Sequence, residues 1–450
     1  MEASTRTRPE RGQELDLRID ALAYGGAGVA RLDGYVVFVR DAVPGDRVRA
    51  VVTKRKRAYA EARAVEVLEP GPERVPAVAD HPGAPWQVLP YERQLAVKAE
   101  QVDDALRRIG RLGGFALEPI VPAVERWRYR NKLEYSFGTA EDGRLVCGFH
   151  APGSWERIVA LEDCLLASER GNAARRAALE WCRARGLSAY DRRTGEGLLR
   201  NLVVREGRRT GDLQVRLVTS DEDLDLSGFA EAVGAGSVVW TRAAGVAETT
   251  AGGRSEVLAG TDAIDEELAG LRFRISAEAF FQTNTEMAER LYGVAGEYAG
   301  LHGWERVYDL FCGIGTIGLS LAPRAGEVWG LEIVEEAIAD ALANARRNEI
   351  ANARFFAGDV RLALRDLVGR AGRPDVLVVD PPRAGLSGKI VRRIAEAAPK
   401  RIVYVSCNPT TLAPNAAQLV DVGYALRRVR PVDMFPQTPH IECVALLERE

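Results

Sequence analysis

No run of 18 apolar residues occurs anywhere in the 450-residue sequence, so no segment reads as a membrane-spanning helix. The stretch from Met1 to Arg11 carries no apolar core of the kind a secretory signal needs. Cysteine is sparse and scattered: six residues, at 147, 164, 182, 312, 407 and 443, without the spacing of a disulfide framework. A reducing cytosol is therefore the expected location. An excess of positive charge is also missing. With a net charge of −3, any binding of nucleic acid must rest on local basic surface. What is present, 46% apolar and 28% charged residues, excludes a disordered chain, and the length suggests about three domains.

The first 70 residues alternate short strand patterns with turns. Leu15 to Leu22 alternates apolar and polar residues, Tyr24-Gly-Gly-Ala-Gly28 is a flexible turn, and Val29–Leu32 and Tyr35–Val39 read as strands. Val43-Pro-Gly-Asp46 is a second turn before a strand over Val48–Thr53, and Lys54-Arg-Lys-Arg57 tips a hairpin that returns through Ala58–Val67. Such spacing predicts a small barrel. The basic tip is either a solvated loop or, with Tyr59 beside it, a track for a phosphate backbone. The glycine turn, Asp33-Gly34, Val-Pro-Gly-Asp and the basic hairpin together resemble the TRAM domain, an OB-like RNA-binding fold. Pro70-Gly-Pro72 and Val75-Pro76 then form a stiff linker.

The middle of the chain is less explicit. Tyr91 to Leu112 reads as an amphipathic helix. Arg126 to Phe137 interleaves cations with aromatics at period two, either as an ordinary amphipathic strand or as a surface pairing cations with phosphate and aromatics with bases. Gly197 to Arg205 is a further strand, with Arg200 and Arg205 expected to point outward. Thr249 to Arg254 is a loop, and Phe280-Phe-Gln-Thr-Asn284 precedes a helix capped by Asn284 or Thr285.

From about residue 286 strands and helices alternate, which implies a parallel sheet covered on both faces. Strands are expected over Arg306–Leu310, Glu327–Leu331, Arg354–Ala357, Val376–Val379, Arg401–Val405, Ala425–Val429 and Glu442–Leu447. The first runs into Gly313-Ile-Gly-Thr-Ile-Gly318, whose glycines let a ligand approach the backbone at a strand-to-helix turn. Glu332 ends the second strand, where an acidic side chain accepts ribose hydroxyls, and Asp359 follows the third. Three such sites fit an adenosyl ligand. The lack of an evident second pyrophosphate cradle favours S-adenosylmethionine over NAD. Asp380-Pro-Pro-Arg383 is a rigid turn aiming a carboxylate at the strand ends. Cys407, in Val405-Ser-Cys-Asn-Pro409, leaves the fifth strand where open α/β sheets bind their ligands, although a lone cysteine is more often a structural thiol.

Residues 301 to 450 resemble the RNA 5-methyluridine methyltransferase family. The resemblance rests on Asp309-Leu-Phe-Cys-Gly-Ile-Gly-Thr316, Asp380-Pro-Pro-Arg-Ala-Gly385, Val405-Ser-Cys-Asn-Pro-Thr-Thr-Leu412 and Asp433-Met-Phe-Pro-Gln-Thr-Pro-His-Ile-Glu442, in that order. With Phe-Phe-Gln-Thr-Asn and the TRAM-like start it covers nearly the whole chain. It implies a multidomain α/β protein: a TRAM-like OB-fold barrel over residues 9–70, a central α+β RNA-recognition domain over 75–285, and a Rossmann-like class I methyltransferase domain over 286–450. It further implies Cys407 as nucleophile, Glu442 as base, and Gln282, Phe311, Glu332 and Asp380 as contacts of S-adenosyl-L-methionine, with Thr316 and Asp359 as weaker additions. Cys312 and Cys443 are read as packing or neighbouring thiols.

That chemistry has a physical reason. Uracil C5 is a poor nucleophile, and attack of a thiolate on C6 converts the ring to an enolate with electron density on C5. A base must then remove the C5 proton so that the thiolate leaves. The base to be methylated must also be flipped from any stack to reach such a site.

The chain departs from the family in one respect. Many relatives hold an iron–sulfur cluster on four cysteines, but the corresponding loop, Asp80-His-Pro-Gly-Ala-Pro-Trp-Gln87, has none, with His81 and Ala84 where two are expected. Cys164 stands alone at the fourth position, and one thiolate cannot hold a four-iron cluster. No cluster and no other metal is expected. The expected enzyme is thus a cytoplasmic, monomeric RNA uracil-5 methyltransferase with ribosomal RNA as its substrate ahead of a transfer RNA T-loop. An NAD-linked oxidoreductase, or a catalytically silent RNA-binding protein, would leave Cys407 and Glu442 idle.

Overall fold

The computed structural model describes residues 8–245 and 253–450. Residues 1–7 and positions 249–252 of the loop expected at 249–254 lie outside the described residues. Among them no helix is long and apolar enough to cross a membrane.

The amino-terminal strands form a six-stranded sheet in the order Glu14–Arg18, Arg47–Arg55, Tyr59–Glu69, Tyr35–Arg40, Gly28–Leu32, Ala21–Leu22. The expected strand over 15–22 breaks at Ile19, whose amide turns aside to the Asp46 carbonyl. Alternate residues, among them Leu15, Leu17, Val37, Val39, Val48 and Ala50, fill one small core. The Pro70-Gly-Pro72 segment is fastened to this unit. Buried Asp46 accepts the Gly71 amide at 2.9 Å and pairs with Arg74 at 3.0 Å.

A seven-stranded sheet follows, in the order Ile158–Ala160, Leu145–His150, Lys132–Thr139, Leu199–Glu206, Leu213–Thr219, Ser237–Arg242, Arg254–Ala259. Here one expectation fails and one open alternative is narrowed. Arg200 and Arg205 do not point outward but are 8% and 2% exposed, because their strand is central and covered on both faces. The Arg205 guanidinium donates to the Ala279 carbonyl at 2.7 Å, and Arg200 stacks 4.1 Å from the Tyr190 ring. The interleaved Arg126–Phe137 stretch is no stacking platform either. Tyr129, Tyr135 and Phe137 lie in the core, while Arg126 stacks on Tyr91 and Arg128 pairs with Asp163. The period does not carry through: residues 126–131 precede the strand, and Tyr135 to Gly138 within it are all buried.

The last sheet has eight strands, ordered Ala353–Ala357, Glu327–Glu332, Arg306–Leu310, Val376–Val379, Arg401–Ser406, Glu442–Arg449, Tyr424–Val432, Ala116–Leu117. All seven strands expected from the sequence are present. The sheet is not parallel throughout, however. The first five strands are parallel, whereas Glu442–Arg449 inserts antiparallel, with Ser406 opposite Cys443. The chain therefore enters its final strand at the edge where the parallel strands end. Glu442, first in that strand, is delivered to the rim that carries Cys407.

Residues assigned by sequence to the central segment also pack on this sheet. Helix Tyr91–Asp104 closes through a π turn over Ala105–Ile109, and Val102, Ala105 and Leu106 pack with Leu412, Ala413 and Ala416 of helix Pro409–Val420. On the opposite face the hairpin Ala263–Leu268/Leu271–Ser276 shares a core with helix Thr285–Ala299.

Candidate active site

The carboxyl ends of the parallel strands open into a cleft of about 1460 Å³. Its lining includes Gln282, Phe311, Glu332, Asp380, Cys407 and Glu442, which brings the two catalytic candidates and the four principal cofactor candidates to one place.

The nucleophile candidate sits on a braced loop. Strand Arg401–Ser406 ends at Ser406, whose hydroxyl donates to the Asn408 carbonyl and accepts its amide, both at 3.1 Å. Asn408 caps the next helix, accepting the Thr410 amide at 3.0 Å, and Pro409 occupies the first helical position, where its missing N–H costs nothing. The Asn408 side-chain amide donates to the Arg383 carbonyl at 3.1 Å, which ties this loop to Asp-Pro-Pro-Arg. Cys407 itself is half-buried. Burial, with the Glu442 and Asp380 carboxylates behind it, pushes its thiol up to about 11, against the opposing pull of the Arg383 guanidinium.

The carboxylates show the same environment. Burial pushes Asp380 up to about 7 and holds Glu442 well above the usual range, with Asp380 adding to the effect on Glu442 and Arg383 opposing it. Fully buried Asp309, which accepts the Gly318 amide at 2.8 Å, is also raised to about 7 by burial. Acids held up in this way are stabilised in their charged form by a cation.

The wall opposite suits an adenosyl group. Phe311 adopts a left-handed backbone at φ 64°, strained for a residue with a side chain, and such strain concentrates at functional sites. Gly313, at φ 52°, has open space where a side chain would begin. Glu332 is held by three backbone amides, those of Gly313, Ile333 and Val334, at 2.7 to 3.2 Å. Gln282 is buried beside the capping residue of helix Thr285–Ala299, which is Asn284, its side chain accepting the Met287 amide. Thr316 lines the cleft with its hydroxyl 3.1 Å from that of Tyr292. Asp359 is different. It caps helix Val360–Ala371, pairs with Arg361 and does not line the cleft. Cys312 and Cys443 are both buried, with the Cys443 thiol 3.6 Å from the Ser406 carbonyl.

The Asp433–Glu442 segment is fixed by a buried polar hub that the sequence did not reveal. Lys98 and Asp433, both fully buried, pair at 2.5 Å. The second Asp433 oxygen accepts the Tyr91 hydroxyl at 2.8 Å, and Gln94 exchanges bonds with the Gln437 side chain and amide. The signal was Gln94 and Lys98 on the same helix face as Tyr91 and Val102, two polar residues on an otherwise apolar stripe.

At the loop Asp80–Gln87, the His81 ring nitrogen lies 3.3 Å from the Cys164 thiol, and Ala84 is buried. Among the described residues no group of three or more His, Cys, Asp or Glu is placed to hold a metal ion. These residues do not fit a four-iron cluster, which needs four thiolates.

The tRNA (uracil-5-)-methyltransferase family model matches residues 251–450, and the TRAM domain model matches residues 8–65. An uncharacterized RNA methyltransferase of Halalkalibacterium halodurans is 39% identical over 444 residues, covering 96% of each chain. One from Bacteroides thetaiotaomicron is 39% identical over 457 residues, covering 95% of this chain and all of its own. Among solved structures, the Pyrococcus abyssi tRNA (uracil-54, C5)-methyltransferase in complex with S-adenosyl-L-homocysteine superposes with a TM-score of 0.79. It is 29% identical and is covered over 96% of this chain and 99% of its own. The chain belongs to the RNA (uracil-5-)-methyltransferase family.

Two outcomes follow from the site's physics. Lys98→Met, which leaves Asp433 charged and buried, is expected to lower stability by about 3–5 kcal/mol in denaturant unfolding, and adding Asp433→Leu to recover much of that loss. Alkylation of Cys407 is expected to rise with pH toward about 11 in the wild type. In Glu442→Gln the profile moves to lower pH, because one negative charge opposing the thiolate is gone; peptide mass spectrometry at Cys407 reads it.

Proposed function

We propose that this protein forms 5-methyluridine in RNA by covalent catalysis, with Cys407 as nucleophile, Glu442 as base and S-adenosyl-L-methionine as methyl donor. The observation carrying this reading is the convergence of Cys407 and Glu442 on one cleft from strands paired Ser406 to Cys443. The Cys407 sulfur attacks uracil C6, which places an enolate across C4 to C5. S-adenosyl-L-methionine, when bound, supplies an electrophilic methyl group to C5 of that enolate. Glu442 takes the C5 proton onto its carboxylate, and the electron pair left behind expels the Cys407 thiolate from C6. Burial suits Glu442 to accept that proton, since it favours the protonated acid. Gln282, Phe311, Glu332 and Asp380 would hold the donor. The strained Phe311 backbone and open space at Gly313 give room for it, and the Glu332 carboxylate suits its ribose hydroxyls.

Burial also keeps Cys407 protonated at rest, so its proton must pass to an acceptor in the cleft. The Asp380 carboxyl lines the same cleft, and burial, by raising it, narrows the gap to the thiol; the transfer still runs uphill and is drawn forward by attack on C6.

A TRAM domain over residues 8–65 fits an RNA substrate, which we read as ribosomal RNA. A second reading, a transfer RNA T-loop uridine, is favoured by the name of the Pyrococcus abyssi enzyme. Mapping 5-methyluridine in ribosomal and transfer RNA from cells lacking the gene decides between them. Loss at a ribosomal position is expected, and loss confined to transfer RNA supports the second reading.

Cys407→Ala is expected to abolish methyl transfer to uridine-containing RNA. Glu442→Gln is expected to lose about 10²–10⁴-fold in turnover and to accumulate a protein–RNA adduct that survives denaturing electrophoresis. Full turnover by Cys407→Ala contradicts the mechanism.

A further inference from the structure

The turn Tyr24–Gly26 belongs by sequence and pairing to the amino-terminal six-stranded sheet, the small barrel expected from the sequence, yet its one side chain, that of Tyr24, serves another unit. Tyr24 takes no part in the barrel's core, which runs from Leu15 to Ala62, and packs instead against the apolar core of the catalytic sheet. Its hydroxyl donates to the backbone carbonyl of Cys407 at 3.4 Å. The contact is long for a hydroxyl donor and therefore weak.

The turn is clamped on both sides of Tyr24. Behind it, the Gln101 side-chain amide donates to the Ala23 carbonyl at 3.1 Å and the Leu22 carbonyl at 3.5 Å. Ahead of it, Gly26 stands at φ 90°, and a side chain there would begin 2.8 Å from the Pro439 ring, three residues before Glu442. The barrel turn is thus wedged between helix Tyr91–Asp104 and the two loops that carry Cys407 and Glu442. Burial keeps the Tyr24 phenol neutral and therefore a donor, and the Arg383 guanidinium lies beside both this phenol and the Cys407 thiol.

We infer that the active site is incomplete without the barrel, and that Tyr24 is a positioning residue which orients the Cys407 loop through its backbone carbonyl. This rests on the reading of Cys407 as nucleophile. Two functions of the barrel are then joined in one turn: the domain that engages RNA also sets the geometry of the attacking sulfur. A barrel displaced from the catalytic sheet would let the Cys407 peptide rotate.

The test uses the full chain with Tyr24→Phe, which keeps the ring and its packing and removes only the hydroxyl. Turnover on uridine-containing RNA is expected to fall about two- to threefold, the low end for loss of one hydrogen bond. KM for RNA stays within about twofold, and the thermal midpoint is unchanged. The pH profile of Cys407 alkylation, taken without RNA, shifts. Gly26→Ala, which drives the turn off Pro439, is expected to reproduce the loss of turnover and the altered alkylation. Unchanged turnover and unchanged alkylation in Tyr24→Phe overturn the inference, as does a rise in KM alone. A shifted alkylation profile in Tyr24→Phe together with an active Cys407→Ala leaves the positioning intact and removes the nucleophile reading instead.

Discussion

The site depends on one reversal of strand direction. Five parallel strands leave their ends, and the loops that follow, on a single rim, and Cys407 stands at the last of them. A sixth parallel strand would have put its own beginning at the far edge, a strand length away. Because Glu442–Arg449 runs antiparallel against Arg401–Ser406, its first residue arrives at the same rim, and the register of Ser406 with Cys443 sets Glu442 beside the thiol. A slip of one residue would turn Glu442 to the opposite face. The pairing is secured on its other edge by Tyr424–Val432, which also brackets the strand along its whole length.

Charge in the cleft is arranged around burial rather than around ion pairs. Cys407, Asp380 and Glu442 are all shifted toward their protonated forms, with the Arg383 guanidinium opposing the shift at Cys407 and Glu442. Such a site resists its own ionisation and welcomes a positively charged occupant. The paired charges lie one layer out, in the hub of Lys98 and Asp433, where both partners are fully buried and both hydrogen-bonded. Pairs of this kind add little net stability but make the loss of either partner costly, which fixes the loop leading to Glu442.

The carboxyl-terminal sheet was legible in the sequence almost to the residue, because buried strands alternate there with amphipathic helices and each strand ends in a recognisable motif. Strand direction was not. The run Glu442–Leu447 is apolar whichever way it points, and only the absence of a crossover helix before it hinted at reversal. Arginines misled the reading of the central sheet. Arg200 and Arg205 look like surface cations, yet their strand is covered on both faces and their charges are taken up by carbonyls and a ring. Tyr129 and Tyr135 likewise look ready to stack on bases and are fully buried. Contacts between distant segments left no local signal. Lys98 with Asp433 and Tyr24 with Cys407 are separated by 335 and 383 residues.

The central claim is that Cys407, alone among the described thiols in the cleft, bonds to the target base. RNA bearing 5-fluorouridine tests it directly, since fluorine at C5 cannot leave as a proton does and the adduct formed after attack is trapped. Peptide mass mapping after incubation with this RNA and S-adenosyl-L-methionine is expected to place the added nucleotide mass on Cys407. An adduct on Cys312 or Cys443, or none at all with an enzyme active on ordinary RNA, would contradict the account.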